Sequence, residues 1–276
     1  MNGSILVLAN FADAAEATAR YAAALGGPLD LHLALLHLEI YPVMLEPELV
    51  AAAFDQTQRN EAETMTELHA LARRMPGHPE VLEASGIVAD DVAEAVRQHH
   101  PLLLAMGLNH DKSLFNHLLK EQMLPVLRAT HKPLLLVPSE APRLGPPRRV
   151  LVAVDGEPFT PNATSRALAP LLAAWAATFT VVHVHPQGGP PSRLALADVR
   201  ASGLLPAATP LELYKAADTY PAAGVLQAVA DTQADLLVLI SRPRSFLSRL
   251  FHRSVTAAVL RHCPVPVLLL PAEPLT

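Results

Sequence analysis

Residues 235–271, DLLVLISRPRSFLSRLFHRSVTAAVLRHCPVPVLLLP, restrict the fold more than any other stretch of the chain. An apolar run at 236–240 gives way to a polar, Arg-rich loop, a helical pattern follows, and a second apolar run at 265–270 closes between prolines. Strand, loop, helix and strand in that order spell a parallel crossover, because parallel neighbours cannot be joined by a tight turn. A weaker copy stands at 101–138, PLLLAMGLNHDKSLFNHLLKEQMLPVLRATHKPLLLVP. The unit occurs twice, and the chain reads as a tandem repeat.

The remaining segments fill in each copy. Residues 5–9 read as a strand, and Asp13 stands at an N-cap position ahead of an Ala-rich helix that runs to Leu25 and stops at Gly26, Gly27 and Pro28. A strand at 31–38, a long helix at 46–75 and a short strand at 80–84 follow. A helix at 90–99 opens with acidic residues that suit its N-terminal dipole, and a strand covers 102–106. The helix at 114–127 contains Pro125, which should kink or split it, and 134–137 is the last strand of the copy.

Residues 139–149, SEAPRLGPPRR, form a linker rich in Pro and charge, dividing a domain at 1–138 from one at 150–276. The second copy repeats the order with a strand at 150–154, a helix at 162–177, strands at 180–185 and 211–215, a helix at 221–231 and the closing unit. Val150 follows Ile5 by 145 positions, whereas Leu270 follows Val137 by only 133. The difference falls between the second and third strands, where PQGGPPSRLALADVRASGLLPAATP replaces the long helix and reads as a loop with at most one short helix.

Apolar strands that are continuous rather than alternating, each followed by a helix, imply a parallel sheet covered on both faces. The fold class expected is therefore α/β, two repeated doubly wound domains of three layers each, α/β/α. Ligand crevices in such domains lie at the carboxyl ends of the strands.

Composition excludes several function classes. Of 276 residues, 51% are hydrophobic and 17% charged, which argues for a well-buried globular chain and against disorder or a coiled coil. A net charge of -5 supplies no basic face for nucleic acid. A single cysteine, Cys263, cannot form an internal disulfide and suits a reducing compartment, and MNGSILVLANFAD has no basic leader, so the cytoplasm is expected. The uncharged stretch 167–184 approaches the length of a membrane span, but it switches midway from Ala/Leu to Thr/Val and reads as a buried helix running into a buried strand.

The strand ending VLVAVDGEP at 150–158, together with the terminal strand, loop, helix and CPVPVLLLP, resembles the universal stress protein family, here as a tandem pair. The resemblance implies domains of the adenine-nucleotide α-hydrolase type, generally cytoplasmic, which pair through their last strands and in one subgroup bind ATP. In a tandem chain the two copies would pair with each other, 134–137 against 265–270, with a homodimer as the other arrangement.

The ATP-binding subgroup carries an acid after the first strand and a G-x-x-G-x9-G-[ST] loop after the fourth. Such glycines let backbone N–H groups reach phosphate oxygens, and the final hydroxyl opens a helix whose N-terminus favours anions. In the second copy Asp155 matches the acid, followed by Gly156, and Ser254 matches the hydroxyl, while Ile240, Pro243 and Arg253 occupy the glycine places. In the first copy only Gly107 is kept, His110 and Lys120 replace the other glycines, Glu121 replaces the hydroxyl and Asn10 the acid. A carboxylate at Glu121 repels phosphate, so that site is expected to be lost. The second copy's loop holds Arg242, Arg244, Arg249 and Arg253 with His252, and guanidinium forks can bind phosphate without a glycine nest. Asp155, Gly156, Arg242, Arg244, Arg253 and Ser254 are thus the candidate nucleotide or anion site, with ATP or another adenine nucleotide as the cofactor considered against none at all.

Other constellations are weaker. His183 and His185 share one face of a strand, a spacing metal sites use, but no Cys or carboxylate has ligand spacing beside them, and a structural role at a strand end is expected, with Asp155 close enough across the neighbouring strand to approach either. Asp90 and Asp91 are caps first, and Cys263 reads as a buried small hydrophobe. Ser241, Ser245, Ser248 and Ser254 lie in no G-x-S-x-G elbow, and no Walker, Rossmann or zinc-finger pattern is present. The expectation is a non-enzymatic stress-response protein that acts through contacts with a protein partner. A nucleotide- or anion-binding sensor with one occupied site in the second domain is the alternative. Neither nucleic acid nor a membrane is expected as a partner.

Overall fold

The computed structural model describes residues 3–9, 12–38, 50–84, 88–108, 122–140, 145–184, 192–216, 220–241 and 255–273. The first half contains β1 (Ser4–Ala9), α1 (Ala12–Gly26), β2 (His32–His37), α2 (Val50–Arg74), β3 (Glu80–Glu83), α3 (Val88–His99), β4 (Leu103–Leu108), α4 (Leu124–Thr130) and β5 (Leu134–Pro138). The second contains β6 (Arg149–Val154), α5 (Ala163–Arg166), α6 (Ala169–Ala174), β7 (Thr178–His183), α7 (Ser192–Ala201), β8 (Leu211–Tyr214), α8 (Pro221–Asp231), β9 (Leu236–Ser241), α9 (Val255–His262) and β10 (Val267–Pro271).

All ten strands join one sheet in the order β3-β2-β1-β4-β5-β10-β9-β6-β7-β8. Each half has the same internal order, with its first strand between its second and fourth, and every neighbouring pair within a half is parallel. The halves meet at one antiparallel ladder, Val267 opposite Leu136, Leu268 opposite Leu135 and Leu269 opposite Leu134. All six side chains are at most 1% exposed. Burying a side chain of that size is worth ~1.5–3 kcal/mol, so this seam is held by core packing as well as by its ladder.

Strand side chains alternate between two faces, and each face carries a core continuous across the seam. One face packs Leu6, Leu104, Leu134, Val267 and Leu237 against α3, α4, α8 and α9. The other packs Val7, Ala105, Leu135, Leu268 and Val152 against α1, α2, α6 and α7. Trp175, just after α6, adds a polar link between the halves, its indole N–H donating to the Leu25 carbonyl at 3.0 Å.

Several segments differ from the sequence expectation. The helix expected at 162–177 is broken into α5 and α6 because Pro170 has no N–H to continue a ladder and sits in the first turn of α6. The strand expected at 180–185 is β7, two residues earlier, since it enters the sheet beside β6 with Thr178 N–H donating to the Arg148 carbonyl at 2.9 Å. Asp13 lies inside α1, which begins at Ala12. Pro125 stands in the first turn of α4, directly after a π-helical turn at Gln122 and Met123, so the helical run is interrupted there, and the region replacing the long helix holds the ten-residue α7. The stretch 167–184 divides between α6 and β7, and among the described residues no helix is long and apolar enough to cross a membrane.

Candidate functional site

Strand order reverses at β6, between β9 and β7, and the crevice that such a switch point makes lies at the carboxyl end of β6. Asp155 is exposed there, and its Oδ1 accepts the Glu157 N–H at 3.2 Å, an Asx-type turn that lets the chain leave the sheet sharply. Gly156 has φ +77°, in the left-handed region, and a Cβ built on it would lie 2.4 Å from both Cε1 and Nε2 of His183. Glycine is therefore required twice at this position, by backbone conformation and by the imidazole against it.

His183 reaches this place through sheet register. It closes β7 directly opposite Val154, the last residue of β6, and is 3% exposed. Sequence reasoning grouped His183 with His185, which lies outside the described residues. It missed His37, which closes β2 opposite Ala9 in the same place of the first half and is 5% exposed. His37 Nδ1 lies 3.3 Å from the Ala9 carbonyl. The endings ALLH and TVVH carried that signal, visible once the copies are aligned.

The other wall of the crevice is β9. Ile240 stands where the ATP-binding pattern has its first glycine, in ladder with Leu270, and its half-buried side chain packs on the core of one face. In the first half Gly107 holds that place in β4, opposite Val137. Of the candidate residues, the structure brings Asp155 and Gly156 together. Arg242, Arg244, Arg249, His252, Arg253 and Ser254 lie outside the described residues, as do Pro243, Asn10, His110, Lys120 and Glu121.

The loop carrying Asp155 is long. It spans residues 155–162 between β6 and α5, whereas two residues separate β1 from α1. Its far end is tied to the seam: Asn162 N–H donates to the Pro271 carbonyl at 3.1 Å, Glu273 N–H to the Thr160 carbonyl at 2.8 Å, and Pro161 bridges Ala272.

Remaining candidates have structural accounts. Cys263 is fully buried, burial pushes its thiol up to about 11, and its Sγ sits 3.5 Å from the Val265 carbonyl, so it is a neutral thiol rather than a nucleophile. Asp90 and Asp91 occupy the first turn of α3. Among the described residues no three His, Cys, Asp or Glu side chains gather as a metal site. A groove of about 230 Å³ lined by Arg149, Thr180, Glu212 and Tyr214 opens near the amino ends of β6 and β7, away from the crevice, and is smaller than the ~300 Å³ at which ligand pockets begin.

Comparison with known proteins decides what this arrangement belongs to. Residues 147–271 match the model of the Universal stress protein family. They are a universal stress protein domain. The match begins within the Pro-rich segment before β6 and ends at the last residue of β10, so it takes in the whole five-strand unit of the second half. No curated protein matches the chain.

Solved structures extend the likeness of fold to both halves. A universal stress protein from Archaeoglobus fulgidus DSM 4304 is 15% identical, with 99% of this chain and 97% of that one covered at a TM-score of 0.62. A protein of Pseudomonas aeruginosa UCBPP-PA14, provisionally assigned as a universal stress protein, is 20% identical, covering 98% and 93% at a TM-score of 0.54. A functionally unknown protein from Pseudomonas aeruginosa PAO1 is 19% identical, covering 98% and 92% at a TM-score of 0.53.

Proposed function

We propose that the chain is a tandem universal stress protein, cytoplasmic and non-enzymatic, whose crevices have lost the backbone grip on a triphosphate and which acts through contacts with a protein partner. The observation that carries this reading is Ile240. Its side chain occupies the place where the ATP-binding pattern has bare backbone and is committed to the core of the sheet. Pro243 in the next glycine place removes a backbone donor as well. Pairing of β5 with β10 occupies the strand edges through which single-domain relatives are expected to dimerise, which favours a chain that satisfies its own seam.

Thermal melting with ATP, ADP, AMP and cyclic AMP tests the reading. A ligand that prefers the folded state stabilises it by about 2.7 kcal/mol at a hundred times its Kd, a readily measured shift. No shift with any of the four is expected. A strong rise with ATP that disappears in Asp155→Ala would overturn the proposal.

A second reading is favoured by the defined turn at Asp155 and Gly156. In it, the second half alone is a nucleotide or anion sensor, with Arg242, Arg244 and Arg253 supplying the charge that glycine amides do not, and Ser254 the hydroxyl. Anion binding left unchanged in an Arg244→Ala, Arg253→Ala chain would remove it.

A further inference from the structure

Helix α4 ends on His131, whose φ of 49° turns the chain left-handed as its N–H closes on the Leu127 carbonyl. The turn leaves the His131 carbonyl without a place in a helix ladder at the entrance to β5, and two side chains of the second half come to it. Asn162 donates from Nδ2 at 2.9 Å, and the Thr164 hydroxyl lies 2.7 Å away. The same hydroxyl lies 2.8 Å from Asn162 Oδ1, so its single proton serves one acceptor at a time. The amide donor is the constant link.

Asn162 does two jobs with opposite ends of one amide. Its Oδ1 accepts the Ser165 N–H at 2.8 Å and caps α5, while Nδ2 crosses to the first half. Its backbone N–H, the Ser165 hydroxyl and the Thr160 carbonyl meanwhile hold residues 271–273 at the end of β10. The far end of loop 155–162 is thus pinned just past the end of the β5–β10 ladder, beside the entrance to β5.

We propose that Asn162 is a positioning residue through which the first half holds the Asp155 loop in shape, so that the degenerate first copy serves as the backing of the second copy's crevice. The claim concerns how the loop is held and is independent of what the crevice takes. A ligand that bound the crevice more tightly with the loop held in this way would, by linkage, stabilise the Asn162–His131 contact by the same factor.

Hydrogen exchange of the full chain, read by mass spectrometry, separates the two jobs. Asn162→Ser and Asn162→Asp keep a good helix cap, but the first is too short to reach His131 and the second presents an acceptor to its carbonyl. Asn162→Ala loses both. Exchange over 155–162 and over the first residues of β5 should rise roughly five-fold in the Ser and Asp chains, the loss expected for one hydrogen bond. Thr164→Val should give a smaller rise at the same two places. Wild-type rates in the Ser and Asp chains, with faster exchange in Ala alone, would show that only the cap matters and overturn the proposal. A uniform rise across both halves would overturn it too, as a general loss of stability.

Discussion

The imidazole of His183 lies against Gly156 so closely that any Cβ at residue 156 would fall 2.4 Å from two of its ring atoms. The ring and the missing side chain fit one another at the mouth of the second crevice, and the turn that presents Asp155 is built on that fit.

Gly156→Ala should therefore cost about 2–4 kcal/mol, combining the left-handed backbone penalty with the clash. His183→Ala in the same chain should return the clash portion but not the backbone portion. Urea denaturation of the two single variants and the double variant gives the coupling energy, and additive losses would show that the ring and residue 156 do not meet.

Alkaline pH should weaken the fold in two stages. Cys263, pushed up to about 11 by burial against a smaller opposing effect of a backbone hydrogen bond at Val265, holds its proton when folded and releases it when unfolded near its ordinary value. Its contribution is whole below pH ~9 and is lost as pH rises toward ~11. Tyr21 shifts the same way, chiefly by burial and then by the negative charge of Asp235, so it adds to the loss above pH ~10. Stability measured against pH should flatten between pH 9 and 10 in Cys263→Ala, and a profile identical to wild type would contradict the assignment.

The Tyr21 hydroxyl is buried with no hydrogen-bond partner among the described residues. Tyr21→Phe removes that group without opening a cavity, so at neutral pH it should be neutral or stabilising by up to about 2 kcal/mol. A loss above 1 kcal/mol on thermal or urea denaturation would mean that the hydroxyl is engaged.

Trp175 is the single tryptophan of the chain and reaches from the second half to Leu25 of the first. Because both cores run across the seam, its fluorescence and the helical circular dichroism should report one coincident urea transition. Trp175→Phe keeps an aromatic ring but loses the N–H donor, and should cost about 1 kcal/mol. Two separated transitions would show that the halves unfold alone.

Much of the architecture was legible because parallel strands buried on both faces write themselves as continuous apolar runs, such as LLVLI before Ser241 and VLVAV before Asp155. Boundaries were less legible where an apolar composition continues past the element. The Ala/Leu run through 167–177 looks like one helix until Pro170 is given its place in a first turn. Asp155 and Gly156 stood out from the strand they follow, whereas the reason for Gly156 lay in His183, twenty-seven residues on and adjacent only through register. The role of Asn162 was hidden for the same reason, since one residue cannot announce a carbonyl thirty-one positions away on the other half.

The central claim, a universal stress fold whose second crevice no longer holds a triphosphate by main-chain amides, is met most directly by titrating the full chain with magnesium ATP in a calorimeter. The account predicts no saturable heat, with Ile240→Gly and Pro243→Gly together needed before any develops. Saturable one-site binding by the unmodified chain, lost in Asp155→Ala but untouched by Arg244→Ala with Arg253→Ala, would contradict it.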